Sequence, residues 1–298
     1  MALVGPTASG KSALAMALAR RLPGPPVEIV SADAMQVYRG MDVGTAKPSS
    51  ADRAEVPHHL LDLVEPHEEF SVARFQAEAR RALAAIEDRG HRALVVGGTG
   101  LYVRAVVDGL DLPGQWSEVR ADLETEKDTH TLHGRLRQLD PVAAGRMEPS
   151  NRRRVLRALE VTLGSGRPFS SFGPGLAAHP ETRYRMAGVW LPRAMVGRRI
   201  EQRFEYMLGA GLTGEVQSLW IRPGGLSRTA SQAVGYREVL DHLAGRCSLD
   251  EAVAEAVGRT RVLARRQRVW FRRDPRITWY GSHEDPGTVL AALLGDWS

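Results

Sequence analysis

The sequence predicts an α/β fold. The expected core is a phosphate-loop, three-layer structure around a parallel sheet, with a mostly helical domain inserted in it. Three observations carry this. The motif GPTASGKS (5–12) opens the chain with a strand-like segment before it and a helix-like segment after it. Short apolar runs then alternate with amphipathic segments, the order that builds a parallel sheet. From 113 to 182 the strands disappear and only helical patterns remain.

The motif has a mechanism. Gly5 and Gly10 allow a backbone path that other residues resist. Gly5, Pro6, Thr7, Ala8, Ser9 and Gly10 can then turn their backbone groups into a concavity suited to phosphate oxygens, with Lys11 adding a point charge and Ser12 a hydroxyl placed for Mg2+. Ala2-Leu3-Val4 reads as the end of a buried strand. Ala13 to Arg21, with Leu14 and Leu18 four apart, reads as a helix whose N-terminus faces the anion. The motif establishes a di- or triphosphate site without saying which phosphate, or that ATP is hydrolysed.

Pro23-Gly24-Pro25-Pro26 stops that helix and Val27 to Val30 forms the next strand. Asp33 follows it, at the carboxyl end where open α/β sheets collect their chemistry. Residues 39 to 69 are loop-rich. With no second ligand pair nearby, the adjacent His58 and His59 fit a structural or phosphate-facing role better than a metal site. Ser71 caps a helix to about Arg89, with Val72, Phe75, Ala79, Leu83 and Ile86 as its stripe. The strand Ala93 to Val96 runs into Gly97-Gly98-Thr99, where an ATPase would show an acid for Mg2+.

In the 113–182 region, Trp116 to Asp128 is charged and weakly amphipathic. Leu132 to Leu139 and Arg152 to Leu163 are helices, and Gly164-Ser165-Gly166 and Gly173-Pro174-Gly175 are breaks. Met186 to Leu191 returns to the sheet. Everything after it is expected to be helical: Arg198 to Leu208, Gln232 to Leu243, and a long helix from a capping box at Ser248 to Glu251 as far as about Arg273. On that last helix Val262, Leu263, Val269 and Trp270 are expected on one face, with Arg261, Arg265, Arg268 and Arg272 on another.

Composition sets the outer bounds. At 298 residues the chain holds one large domain or two, and 43% hydrophobic with 25% charged residues is ordinary for a soluble globular protein. No run of about 18 apolar residues is present and no signal peptide is recognised, so no membrane partner is expected. Cys247 is the single cysteine, which leaves no internal disulfide and fits a cytoplasmic protein. The net charge is +5, and only Lys11, Lys47 and Lys127 among the 40 basic residues are lysines. Isolated arginines therefore say little in this chain, but clusters do. Arg146, Arg152, Arg153, Arg154 and Arg157 form one, and the run from Arg259 to Arg276 another, a density that fits nucleic acid.

At this point the chain resembles the bacterial tRNA dimethylallyltransferase family. The resemblance is carried by GPTASGKS (5–12), SADAMQVYRGMDVGTAKP (31–48), PHHLLD (57–62), VGGTGLY (96–102), LDPVAAGRMEPSNRRRVLRALEV (139–161), QAVGYRE (232–238) and TRVLARRQRVWFRR (260–273). It implies transfer of a dimethylallyl group from dimethylallyl diphosphate to N6 of adenosine 37 in tRNA, with Mg2+ as cofactor, by a cytoplasmic monomer. On that resemblance Gly5 to Ser12 bind the diphosphate, Lys11 and Ser12 stabilise its departure with the metal, Asp33 is the general base and Thr99 a polar contact in the catalytic site. Contacts to the anticodon stem-loop are implied for Asp33, Ala34, Met35, Gln36, Thr99, Arg120, Arg153, Arg154, Val155, Leu156, Arg157 and Gln232. Where the family usually has serine after the aspartate this chain has Ala34, so any hydrogen bond that serine supplies is lost. Three other readings share parts of the pattern: a nucleoside or small-metabolite kinase, a prenyltransferase acting on free adenine nucleotides, and an RNA-binding protein that uses the phosphate loop as a nucleotide switch.

Overall fold

A computed structural model describes residues 1–173 and 175–298; Pro174, in the middle of the break expected at 173–175, lies outside the described residues. The strands are β1 (Ala2–Val4), β2 (Val27–Ser31), β3 (His58–His59), β4 (Arg92–Gly97), β5 (Met186–Trp190) and β6 (Ile277–Gly281). They form one sheet in the order β3-β2-β4-β1-β5-β6, and every pairing is parallel. The central strand β1 sets Ala2 beside both Val95 and Met186. The helices are α1 (Lys11–Arg21), α2 (Ser50–Glu55), α3 (Val72–Asp88), α4 (Gly100–Val107), α5 (Ser117–Thr125), α6 (Thr129–Leu139), α7 (Pro141–Gly145), α8 (Arg152–Ser165), α9 (Arg193–Gly209), α10 (Leu212–Trp220), α11 (Tyr236–Leu243), α12 (Leu249–Phe271) and α13 (Leu290–Trp297).

Alternation along the strands produces the layers. Leu3, Ile29, Leu94 and Val189 point to one side, where α1 and α13 cover them with Leu14, Leu18, Leu293 and Trp297. Val4, Val30 and Val95 point to the other, against Phe75 of α3, Tyr102 of α4, Ile200 and Phe204 of α9 and Tyr236 of α11. Ser71 caps α3 by accepting from the Arg74 N–H, as its position promised.

The chain divides into a unit of Met1–Asp108 with Glu181–Ser298, and a unit of Gly109–Pro180. The second unit packs α5 to α8 around Leu123, Leu132, Leu136, Leu159 and their neighbours.

The sequence reading fails at two strands and one helix face. Both missed strands are at the edges. β3 is only two residues long, in a stretch that reads as loop. β6 follows α12 at once, where Ile277-Thr278-Trp279-Tyr280, β-branched and aromatic, pairs with β5 rather than continuing the helical run. On α12 the buried residues are Ala252, Ala256, Thr260, Ala264 and Phe271, whereas Val262, Leu263 and Val269 are 49%, 37% and 47% exposed. Small residues at four-residue spacing let α12 lie close against α9 and α11, so the large apolar residues do not mark its buried side.

Glu28 of β2 is buried and holds the sheet edge together. Its carboxylate accepts from Arg89 at 3.0 and 2.8 Å and pairs with His59 and His91 at 2.5 and 2.7 Å. Burial alone would raise its pKa, but the Arg89, His59 and His91 hydrogen bonds outweigh it and bring the group down to about 2. His58 pairs with the Val56 carbonyl at 2.7 Å. The adjacent histidines thus serve the structure.

Candidate active site at the carboxyl ends of the strands

The loop between β1 and α1 is shaped by its neighbours. A Cβ on Gly5 would lie 2.5 Å from the Val189 carbonyl oxygen, and one on Gly10, at φ 84°, would lie 2.3 Å from the Pro286 ring. No other residue fits either place. Ala8 adopts the left-handed conformation at φ 61°, and Arg199 holds it by donating to its carbonyl at 3.0 Å. Ser9 Oγ is buried and has no hydrogen-bond partner among the described residues. A buried hydroxyl costs stability unless it is bonded, so this atom suits contact with a polar ligand. Lys11 Nζ folds back onto the Pro6 carbonyl at 2.6 Å. Burial pushes its ammonium down to about 8, with Asp33 opposing that shift and Arg203 adding to it.

Asp33 follows β2. Its carboxylate accepts from the Met35 N–H at 2.8 Å, which closes a tight Asx turn and fixes the side chain. The next N–H, of Ala34, donates to Thr99 Oγ1 at 3.3 Å, so the turns after β2 and β4 are tied together. Arg203 of α9 donates to Thr7 Oγ1 at 3.3 Å. Burial depresses Arg203, and the charge of Asp33 opposes that shift. Asp33 thus acts on two cations, Lys11 and Arg203, that border the phosphate loop. From α12, Gln267 accepts the Thr7 N–H at 2.8 Å, and Trp270 fills the space over Gly100, where a Cβ would meet its ring at 2.1 Å. The Gln36 amide is engaged at both ends: Oε1 accepts from Ser31 at 2.8 Å, and Nε2 donates to the Thr45 and Ala46 carbonyls at 3.2 and 3.3 Å.

A family model described as IPP transferase matches residues 36–274, and one described as isopentenyl transferase matches residues 1–62. The chain belongs to the IPP transferase family. Proteins called tRNA dimethylallyltransferase from Geobacter metallireducens and Streptomyces coelicolor are 46% and 48% identical to it, each over 98% of this chain and 95% and 93% of the relative. A solved tRNA isopentenylpyrophosphate transferase from Bacillus halodurans superposes with a TM-score of 0.72 at 36% identity, covering 99% of this chain and 94% of that one. A eukaryotic dimethylallyltransferase solved acting on tRNA shares the fold at a TM-score of 0.78 and 24% identity, over 95% of this chain and 73% of its own.

As an IPP transferase the chain is an enzyme of group transfer, and its remaining expected site residues sort by what they touch. In the helical unit, Val155 and Leu156 are 0% and 2% exposed. Their side chains belong to that unit's core, so a nucleic-acid contact expected at these positions is left to their backbone atoms. Arg157 donates to Glu160 at 2.6 Å and to the carbonyls of Pro113 and Gly114 at 2.8 and 2.9 Å. Arg120 donates to Glu124 at 2.7 Å and pairs with buried Glu160 at 3.8 Å. Both guanidinium groups are therefore used inside the unit. Arg153 and Arg154 are exposed and have no ion-pair partner among the described residues. Gln232 sits in a single turn at Ala230–Gln232 and accepts from Arg237 at 3.4 Å. On α12, Arg261 pairs with Glu201 and Arg268 lies 5.6 Å over the Trp190 ring. Arg265, Arg266, Arg272 and Arg273 are exposed.

Sequence reasoning missed Arg199, Arg203, Gln267 and Trp270. Arg199 and Arg203 gave no signal beyond an arginine-rich background. Gln267 and Trp270 lay in plain view within TRVLARRQRVWFRR, but nothing in the string says that Gln267 faces the phosphate loop and Trp270 the turn at Gly100.

Proposed function

We propose that this enzyme transfers a dimethylallyl group from dimethylallyl diphosphate to N6 of adenosine 37 in tRNA. One observation carries the reading. The phosphate loop, with its unpartnered Ser9 hydroxyl and its two bordering cations, lies beside a carboxylate at the ends of β1 and β2. That arrangement suits a leaving diphosphate next to a base. As the bond from the allylic carbon to the diphosphate oxygen lengthens, charge grows on the leaving group, and Lys11 and Arg203 supply positive charge beside the loop to meet it. The N6 nitrogen forms the new bond to that carbon, and its proton passes to Asp33. The Asx turn keeps the carboxylate oriented, and Thr99 holds the neighbouring backbone. An adenine stacked in its loop cannot reach this depth, so it is flipped out, with exposed Arg153 and Arg154 holding phosphates.

Among the described residues no group of three His, Cys, Asp or Glu side chains could hold a metal ion. The donor set fits a Mg2+ that arrives with the diphosphate and keeps mostly water and phosphate oxygens, with the exposed Ser12 hydroxyl as its protein ligand. Bound there, the ion would neutralise part of the leaving group's charge. No helix among the described residues is long and apolar enough to cross a membrane. The working form is proposed to be a cytoplasmic monomer, which sedimentation of the purified protein checks.

The test is incubation with labelled dimethylallyl diphosphate and either an anticodon stem-loop RNA or AMP. Label on the RNA at the adenosine N6 is the expected result. Label on AMP alone would move the enzyme to free nucleotides, and phosphoryl transfer from ATP would restore the kinase reading.

A further inference from the structure

We propose that Gln267 is a positioning residue that sets the orientation of the Pro6–Thr7 peptide and, through it, the placement of Lys11. The observation is a pair of hydrogen bonds at the two ends of one peptide unit. The Thr7 N–H donates to Gln267 Oε1 at 2.8 Å, and the Pro6 carbonyl accepts from Lys11 Nζ at 2.6 Å. No peptide bond among the described residues is cis. In a planar trans peptide the N–H and C=O point in opposite directions, so fixing one fixes the other. Gln267 draws the N–H outward toward α12, and that turn delivers the carbonyl to the Lys11 ammonium.

Three further contacts make this a built arrangement. Thr7 is gripped a second time through its hydroxyl, by Arg203 at 3.3 Å. Gln267 is seated against Gly98: a Cβ there would lie 2.6 Å from its Nε2 and push the amide aside. Three residues on, Trp270 closes over Gly100 in the same way. One side of α12 therefore rests on the turn that carries Thr99 and on the phosphate loop together. Without Gln267 the peptide is free to rotate. A carbonyl swung into the loop would repel a phosphate oxygen, and Lys11 would lose the acceptor that holds its charge in place.

This role rests on the diphosphate reading of the loop, and the experiment separates the two. The probe is inorganic pyrophosphate, measured by calorimetry without tRNA on the full chain. For each protein the readout is the fold-loss of pyrophosphate affinity caused by adding Lys11→Met. In the wild type that loss is roughly ten- to hundredfold, the range of a charged hydrogen bond. In Gln267→Met, which keeps the length of the side chain but has no comparable acceptor, Lys11 is already misplaced and the loss shrinks to about twofold or less. Gln267→Glu keeps an acceptor for the Thr7 N–H and keeps the large loss; because it preserves the contact, it serves if Gln267→Met folds poorly. A merely structural glutamine would leave the Lys11 contribution unchanged in every background, and an equal loss in wild type and Gln267→Met overturns the proposal. A shrunken loss in Gln267→Glu overturns it as well. A wild type that takes no pyrophosphate would instead overturn the diphosphate reading itself.

Discussion

Arg154 and Arg157 stand three residues apart on α8, yet the structure gives them different work, and salt dependence can tell them apart. Arg154 is exposed and has no ion-pair partner among the described residues, whereas Arg157 donates to buried Glu160 and to the Pro113 and Gly114 carbonyls. If Arg154 meets a tRNA phosphate, Arg154→Ala removes one counterion-releasing contact. The slope of log affinity against log salt then falls by about 0.7 for single-stranded RNA to 0.9 for duplex. The effect should be the same for every tRNA, because phosphate contacts position the nucleic acid without specifying it. Folding stability should hardly change, since an exposed side chain without partners contributes within about half a kcal/mol. Arg157→Ala should do the reverse. Among the described residues it leaves Glu160, 5% exposed, with the Trp116 N–H at 3.1 Å and the more distant Arg120. Breaking a buried pair from one side costs about 3–5 kcal/mol, reduced here because Arg120 remains. The assay is tRNA affinity at several salt concentrations, with thermal melting of both variants. A slope change in Arg157→Ala with no loss of stability would refute the sorting. An unchanged slope in Arg154→Ala would mean that this face is only solvated.

Asp33→Ala is expected to lower turnover by roughly 10²- to 10⁴-fold while tRNA affinity stays near normal; turnover close to wild type would remove Asp33 as the base. Lys11 must be protonated to act and its folded value is about 8, so kcat/KM for the diphosphate donor should fall as pH rises through that point, and a profile flat to pH 10 would contradict the assignment. Glu28, ordinarily near 4.5 and here about 2, contributes about 3 kcal/mol that is fully present above pH 4.5 and lost as pH falls toward 2. Chemical denaturation of Glu28→Gln and wild type between pH 7 and pH 3 should show the difference between them narrowing on the acid side.

The sequence was most legible where a local pattern has one physical meaning. The turn of the phosphate loop into α1, the Ser71 cap and the Ser248 capping box each rest on contacts within a few residues, and each stands where its pattern puts it. It was least legible where position depends on a distant partner. β6 has the β-branched and aromatic residues of a strand, but it is the edge offered by β5, a distant partner, that pairs it. The face of α12 was misread for a related reason: burial followed the close approach of helices over alanine and threonine, which leaves no large apolar stripe. Val155 and Leu156 were not legible as core residues from a run carried over from a resemblance as a block. On a helix, consecutive residues point in different directions, so a run that exposes Arg153 and Arg154 buries the side chains next to them.

The same distance from sequence to site explains why the phosphate loop could be read before its partners could. The loop's backbone path is local, but its readiness to bind an anion is not. Arg199 holds the strained Ala8, Arg203 holds the Thr7 hydroxyl, and Gln267 holds the Thr7 N–H. These three side chains come from two helices, α9 and α12, that follow the loop by nearly 200 residues or more in the chain. Each contact takes up a group that would otherwise be free to move or to turn the wrong polarity toward a phosphate. Ser9 Oγ is left without a partner while the groups around it are engaged, which is what a site built for a missing oxygen should show. Ser9→Ala removes a buried loop hydroxyl that has no hydrogen-bond partner among the described residues. It should therefore weaken pyrophosphate while leaving the empty protein equally stable or slightly more so. A Ser9→Ala variant that is less stable but binds pyrophosphate unchanged would show instead that the hydroxyl serves the fold.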